Sequence, residues 1–150
     1  MSDSDFQICI EEYPSPLFAE VDELRYRVLF EPFGVGRDDD WNDADPSATH
    51  VVALAGGAVV GYARLIAEAD GRTGQIRQVA VDPSWERRGL GSALMRTVLG
   101  RAAEQGLTDV WLNARMSVVP FYERLEFRVT SGMFHAPRTY LPHVRMDRVL

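Results

Sequence analysis

The chain has a single cysteine, Cys9, so it forms no internal disulfide and assembles no cysteine-based zinc site. A reducing, cytoplasmic setting is the simplest reading of that composition. No run of about 20 apolar residues occurs, which removes a transmembrane helix and predicts no membrane partner. The first residues, "MSDSDFQICIEEY", lack both a basic segment and a long apolar one, so no secretory signal peptide is expected. Basic excess is missing too: 16 Lys and Arg stand against 22 Asp and Glu, a formal net charge of −6. General nucleic-acid binding needs a basic face for phosphate contacts, so that class is disfavoured, and small cationic or neutral substrates are mildly favoured. His50, His135 and His143 show no metal-ligand spacing, and no metal is expected. No internal repeat or low-complexity linker divides the sequence, which predicts one domain over residues 1–150.

What is present reads as an ordinary folded domain, 46% hydrophobic and 25% charged. Alternation over Phe6 to Ile10 predicts a strand. After Pro16, Leu17, Val21, Leu24 and Val28 fall at helical spacing, and Pro32 and Gly34 end the helix. Gly34 to Ala48 is an acidic loop rich in turn formers, either solvated or an attractor of a cationic group, with Trp41 as a cation–π wall. Two apolar runs around Gly56-Gly57 predict a hairpin, His50–Leu54 with Ala58–Ile66. A strand near Gly74–Val81 follows. From Gly89, Leu90, Leu94, Val98 and Ala102 recur every four residues, a helix closed by Gly106. Asp109–Ala114 is a mostly apolar run, expected as a parallel strand covered on both faces. A short helix with Pro120 in its first turn and two further strands complete the order.

Chemistry concentrates in "VAVDPSWERRGLGSALM", from Val79 on. A helix start leaves backbone N–H groups unpaired at a partly positive end, suited to an anion. Gly89 and Gly91 let a phosphate approach the backbone, Arg87 and Arg88 add positive charge, and Ser92 adds a hydroxyl. No Lys follows the glycines, which excludes a Walker loop, and Leu94 stands where a dinucleotide fingerprint needs its third Gly.

The stretch resembles the acyl-coenzyme A loop of the Gcn5-related N-acetyltransferase (GNAT) superfamily, Gln/Arg-x-x-Gly-x-Gly/Ala between a strand and a helix. Glu86 departs from it at the Gln/Arg position. "LNARMSVVPFYERLEF" is similar to the family's next strand and short helix. "LRYRVLFEPFGV", the acidic loop, His50 and "PHVRM" extend the likeness to the ElaA/YjcF-like branch over nearly the whole chain. The resemblance implies an α/β fold with a mixed, mostly antiparallel sheet, a central β-loop-α-β unit and helices on both faces. It implies acetyl-CoA as co-substrate, with Arg87, Arg88, Gly89, Leu90, Gly91 and Ser92 cradling the pyrophosphate. Backbone groups of Val79, Ala80 and Val81 would pair with the pantetheine arm, and Asn113 would contact the cofactor. Tyr122 matches the family's general acid, which protonates a departing thiolate.

For the base that takes the amine's proton, Glu31 and His143 are both candidates. The expected activity is acetyl transfer to a primary amine of a small molecule by direct attack in a ternary complex. A protein or peptide acceptor, or a non-catalytic module that senses acyl-CoA, are the alternatives. Homodimers are common in the superfamily, so a homodimer is among the expectations.

Overall fold

A computed structural model describes residues 5–37 and 46–150. The acidic stretch with Asp38, Asp39, Asp40, Trp41, Asp43 and Asp45 lies outside them, and with it the reading of that stretch as a cation attractor.

The sheet begins with β1 (Gln7–Glu11), antiparallel to β2 (Thr49–Ala55). Helix α1 (Phe18–Leu29) lies between them in sequence and is followed by a single 3₁₀ turn, Glu31–Phe33, that ends at Gly34 with φ +76°. Strand β3 (Ala58–Ala67) returns from β2 through Gly56 and Gly57, with φ of +56° and +84°. Two positive φ values in a two-residue loop match the right-handed twist of the hairpin, which is why Gly-Gly serves there. β4 (Thr73–Val81) pairs antiparallel with β3 and, over Thr73–Gln75 only, parallel with β5 (Asp109–Arg115). Helix α2 (Leu90–Glu104) makes the crossover and α3 (Val119–Arg124) follows β5. The short strands β6 (Arg128–Val129) and β7 (Phe134–His135) both pair with β8 (Pro142–Val149), which lies antiparallel to β5. The strand order is β1-β2-β3-β4-β5-β8-β6, with β7 on β8.

Each face of the sheet has its own core. Leu90, Leu94, Met95, Val98 and Ala102 of α2 are buried against Val51, Ala53, Ile76, Val110 and Leu112. Phe18, Val21 and Leu24 of α1 cover Val52, Tyr62 and Ala80 on the opposite face. The four-residue spacing read in α2 is thus its buried stripe. Its end is also as expected: Gly106 has φ +81°, and the Leu107 N–H donates to the Ala102 carbonyl at 3.1 Å.

Strand β5 corrects one expectation. Val110, Leu112 and Ala114 are buried, but Trp111 is only half-buried and Asn113 is exposed. Helix α1 packs chiefly over β3 and β4. On β5 the Arg145 guanidinium, ion-paired with Asp147, lies 4.1 Å from the Trp111 ring centre instead.

Helix α2 lies close to β3 at Gly61, where an added Cβ would stand 2.6 Å from Leu90 Cδ2 and 2.8 Å from Leu94 Cδ1. Gly61→Val is therefore expected to destabilise the fold by about 1–3 kcal/mol through overpacking. Urea unfolding followed by far-UV circular dichroism measures it. An unchanged midpoint would mean that α2 stands further from the sheet.

Candidate active site

The site originates in an irregularity of β4. Tyr62 pairs with Ala80 and Arg64 with Arg77, so two residues of β4, Gln78 and Val79, face the single Ala63 of β3. Gln78 takes φ +59°, a left-handed conformation that is costly outside glycine. Its side chain is held from behind: the fully buried Arg25 donates from Nε to Gln78 Oε1 at 3.0 Å. The extra residue reverses which side chains face which helix. Before it Ile76 packs toward α2; after it Val79 and Val81 do, while Ala80 turns to α1. From Ile76 onward β4 has no strand partner on its β5 side among the described residues.

A cleft of about 690 Å³ opens where β4 and β5 separate. Val79 and Val81 line one side and Ala114, Phe121 and Tyr122 the other, with Trp85, Arg87, Gly89, Gly91 and Ser92 at one end. Asp82 fixes the loop between strand and helix. It accepts from the backbone N–H and hydroxyl of Ser84 at 2.9 and 2.7 Å and pairs with Arg27 of α1 at 3.0 Å. Burial raises the Asp82 carboxyl, but the Ser84 hydrogen bonds and the Arg27 charge outweigh it and leave it below its ordinary value.

Gly89 has φ +80°, and no side chain caps α2. The N–H groups of Leu90, Gly91 and Ser92 therefore face outward without a helical carbonyl. A Cβ at Gly89 would meet nothing within 4 Å, so glycine is needed for its φ, and the space before it is open. At Gly91 a Cβ would come within 3.4 Å of the Phe121 ring. Arg88 does not line the cleft; its guanidinium lies 4.7 Å from the Trp85 ring centre. The side chains of Leu90 and Ala80 are buried in the two cores, which leaves only their backbones available. These features fit an elongated ligand with a phosphate at the α2 end and an extended arm along β4.

Tyr122 is 7% exposed and lies against Phe121 and Phe127, with ring centres 5.0 and 5.8 Å away. Burial pushes its phenol up to about 12, opposed only in part by the charge of Arg115. It thus keeps its proton throughout the ordinary pH range. In "LEF", Glu126 takes φ +69° at the end of α3, where glycine is more usual, and the Phe127 N–H still closes on the Tyr122 carbonyl at 3.1 Å.

A second cavity of about 470 Å³ shares Leu29, Arg77, Gln78, Val79 and Arg115 with the cleft. Asn113 and His143 line it, so Asn113 faces this cavity and not the cleft. Glu31 is exposed and lines neither. His50 is fully buried and shares a hydrogen bond through Nδ1 with the Tyr62 hydroxyl, inside the α1 core. Cys9 lies in β1, away from both cavities. Arg77, Gln78, Arg115 and Arg138 are among the lining residues that sequence reasoning missed. Arg115 had a signal: it follows Asn113 by two residues in a strand and shares its face. Gln78 had none, because a glutamine announces no left-handed backbone.

Residues 15–127 match the acetyltransferase (GNAT) family. The N-acetyltransferase YjcF of Bacillus subtilis is 28% identical over 123 residues, 82% of this chain and 86% of that protein. ElaA of Escherichia coli superposes with a TM-score of 0.76 at 24% identity, over 95% of this chain and 97% of ElaA. An aminoglycoside 6′-N-acetyltransferase complexed with coenzyme A superposes with a TM-score of 0.79 at 15% identity, over 95% and 96% of the two chains. No helix among the described residues is long and apolar enough to cross a membrane. With three quarters of its length inside the family match, the chain belongs to the GNAT acetyltransferases and is an acyl-CoA-dependent N-acetyltransferase.

Proposed function

We propose that the enzyme transfers an acetyl group to the primary amine of a small molecule by direct attack in a ternary complex. The observation that carries this is the meeting of the two cavities at Val79 and Arg115. An acyl donor laid along β4 and an amine in the second cavity would reach each other there. A volume of about 470 Å³ suits a small acceptor.

Residues 87 and 89–92 would hold the pyrophosphate of acetyl-CoA, which supplies the activated acetyl group when bound. The backbone N–H of Val79 or Val81 would polarise the acyl carbonyl. As the amine nitrogen bonds to the acyl carbon, the carbon–sulfur bond breaks, and Tyr122 Oη gives its proton to the sulfur. For the proton that the amine must lose, geometry favours His143 over Glu31. His143 Nδ1 lies 2.9 Å from the Leu141 carbonyl oxygen. A carbonyl only accepts, so Nδ1 carries a proton, and the tautomer this hydrogen bond selects has its lone pair on Nε2.

Release of free thiol from acetyl-CoA, measured over small amines and peptides, tests the reading. Turnover with small amines supports it, and turnover with peptides alone moves the acceptor class to proteins. Coenzyme A binding without turnover on any amine makes the chain a sensing module. His143→Gln is expected to lower kcat/KM about 10²-fold at neutral pH. The loss should shrink at alkaline pH, where the amine sheds its own proton. An unchanged profile would return the role to Glu31 or water.

A further inference from the structure

From the wall of the second cavity we infer that the acceptor is an amino-acid-like molecule, carrying an oxyanion close to its reactive amine. This inference rests on the transfer reading above. Arg77, Arg115 and Arg138 line that cavity, and no Asp or Glu among the described residues does. The chain's net charge of −6 pointed to a cationic or neutral acceptor, but total charge is an average over the surface. A ligand responds to the few groups it touches, and here the Arg, Lys, Asp and Glu side chains among them are all guanidinium groups.

Arg115 carries the inference. Arg77 and Arg138 are engaged by other groups as well. The Arg115 guanidinium lies 5.3 Å from the Phe33 ring centre and makes no ion pair among the described residues. A ring face orients a guanidinium while leaving its N–H edge available to an oxyanion, which that edge matches in a two-pronged hydrogen bond. Arg115 is also paired in register with His143 across β5 and β8. Directly opposed residues have Cβ atoms only about 5 Å apart on one face of a sheet. The group that holds the anion and the group that takes the amine proton are therefore neighbours, which fits an amine and an anion separated by a few bonds. A polyamine or aminoglycoside would meet the like charge of the arginines.

The test compares free amino acids with their carboxamides, with the corresponding decarboxylated amines and with aminoalkylphosphonates, each assayed for thiol release from acetyl-CoA. The carboxylates are expected to react best, and Arg115→Gln should raise their KM by about 10- to 100-fold, the range for losing one charged hydrogen bond. The same substitution should raise KM for the carboxamides far less than for the carboxylates, and Arg115→Lys should restore part of the loss. Preference for the phosphonates assigns the anion to a phosphoryl group and supports the oxyanion while overturning the amino acid. Equal or better use of carboxamides and cationic amines overturns this inference and leaves acetyl transfer intact. No thiol release with any of them overturns both.

Discussion

Replacing Tyr122 by phenylalanine is expected to lower kcat by about 10³- to 10⁴-fold while the affinity for coenzyme A changes little. In the proposed mechanism the phenol gives the proton to the departing sulfur, and the ring that carries it stays packed between Phe121 and Phe127 without its hydroxyl. Steady-state thiol release gives kcat, and calorimetry with coenzyme A gives the affinity. Equal loss of both would mean that the hydroxyl organises the cleft and does not donate a proton. The pH profile supplies an independent check. A donor pushed up to about 12 keeps its proton well above the ordinary phenol value of 10.0, so no alkaline fall in rate should arise from it below about pH 11. The same shift acts on stability. The unfolded phenol ionises near 10.0 while the folded one holds its proton to about 12, so Tyr122 draws stability down as pH rises through that window.

Phe127→Ala is the second large effect, expected to cost about 3–5 kcal/mol. Phe127 is 2% exposed, in the α2-side core. Domains of this size have about 5–15 kcal/mol in all, so the loss is a large fraction of the total. Denaturant unfolding measures it directly. Because the Phe127 N–H and ring both support Tyr122, kcat should also fall at temperatures where the variant remains folded. A stability loss with kcat unchanged would show that Tyr122 is held from the Phe121 side alone.

Much of this was legible before any coordinates. The repeating Leu90, Leu94, Val98 and Ala102 specify α2 because a four-residue spacing satisfies one buried stripe only as a helix. Gly56-Gly57 specifies the hairpin because two positive φ values are needed there. Gly89 and Gly91 stand at the mouth of the cleft for local reasons that the sequence states outright. The remainder depends on partners distant in the chain. Whether Trp111 is covered depends on how far α1 reaches, and no residue of β5 records that. Arg115 and His143 become neighbours only through the register of β5 against β8, 28 residues apart in sequence. Net charge could not locate the arginines of the cavity for the same reason: composition counts them together with the acids of the surface.

The extra residue at Gln78 has a consequence for the limits of stabilising this enzyme. Deleting it would give β4 ordinary alternation, with Val79 opposite Ala63, and relieve the left-handed glutamine, yet it would also remove the kink at which β4 leaves β5 and let the two strands continue side by side. A search that selects for folding alone would favour that change. The void proposed for the chemistry is kept open by a flaw in the sheet, and the buried arginine behind it holds that flaw in place.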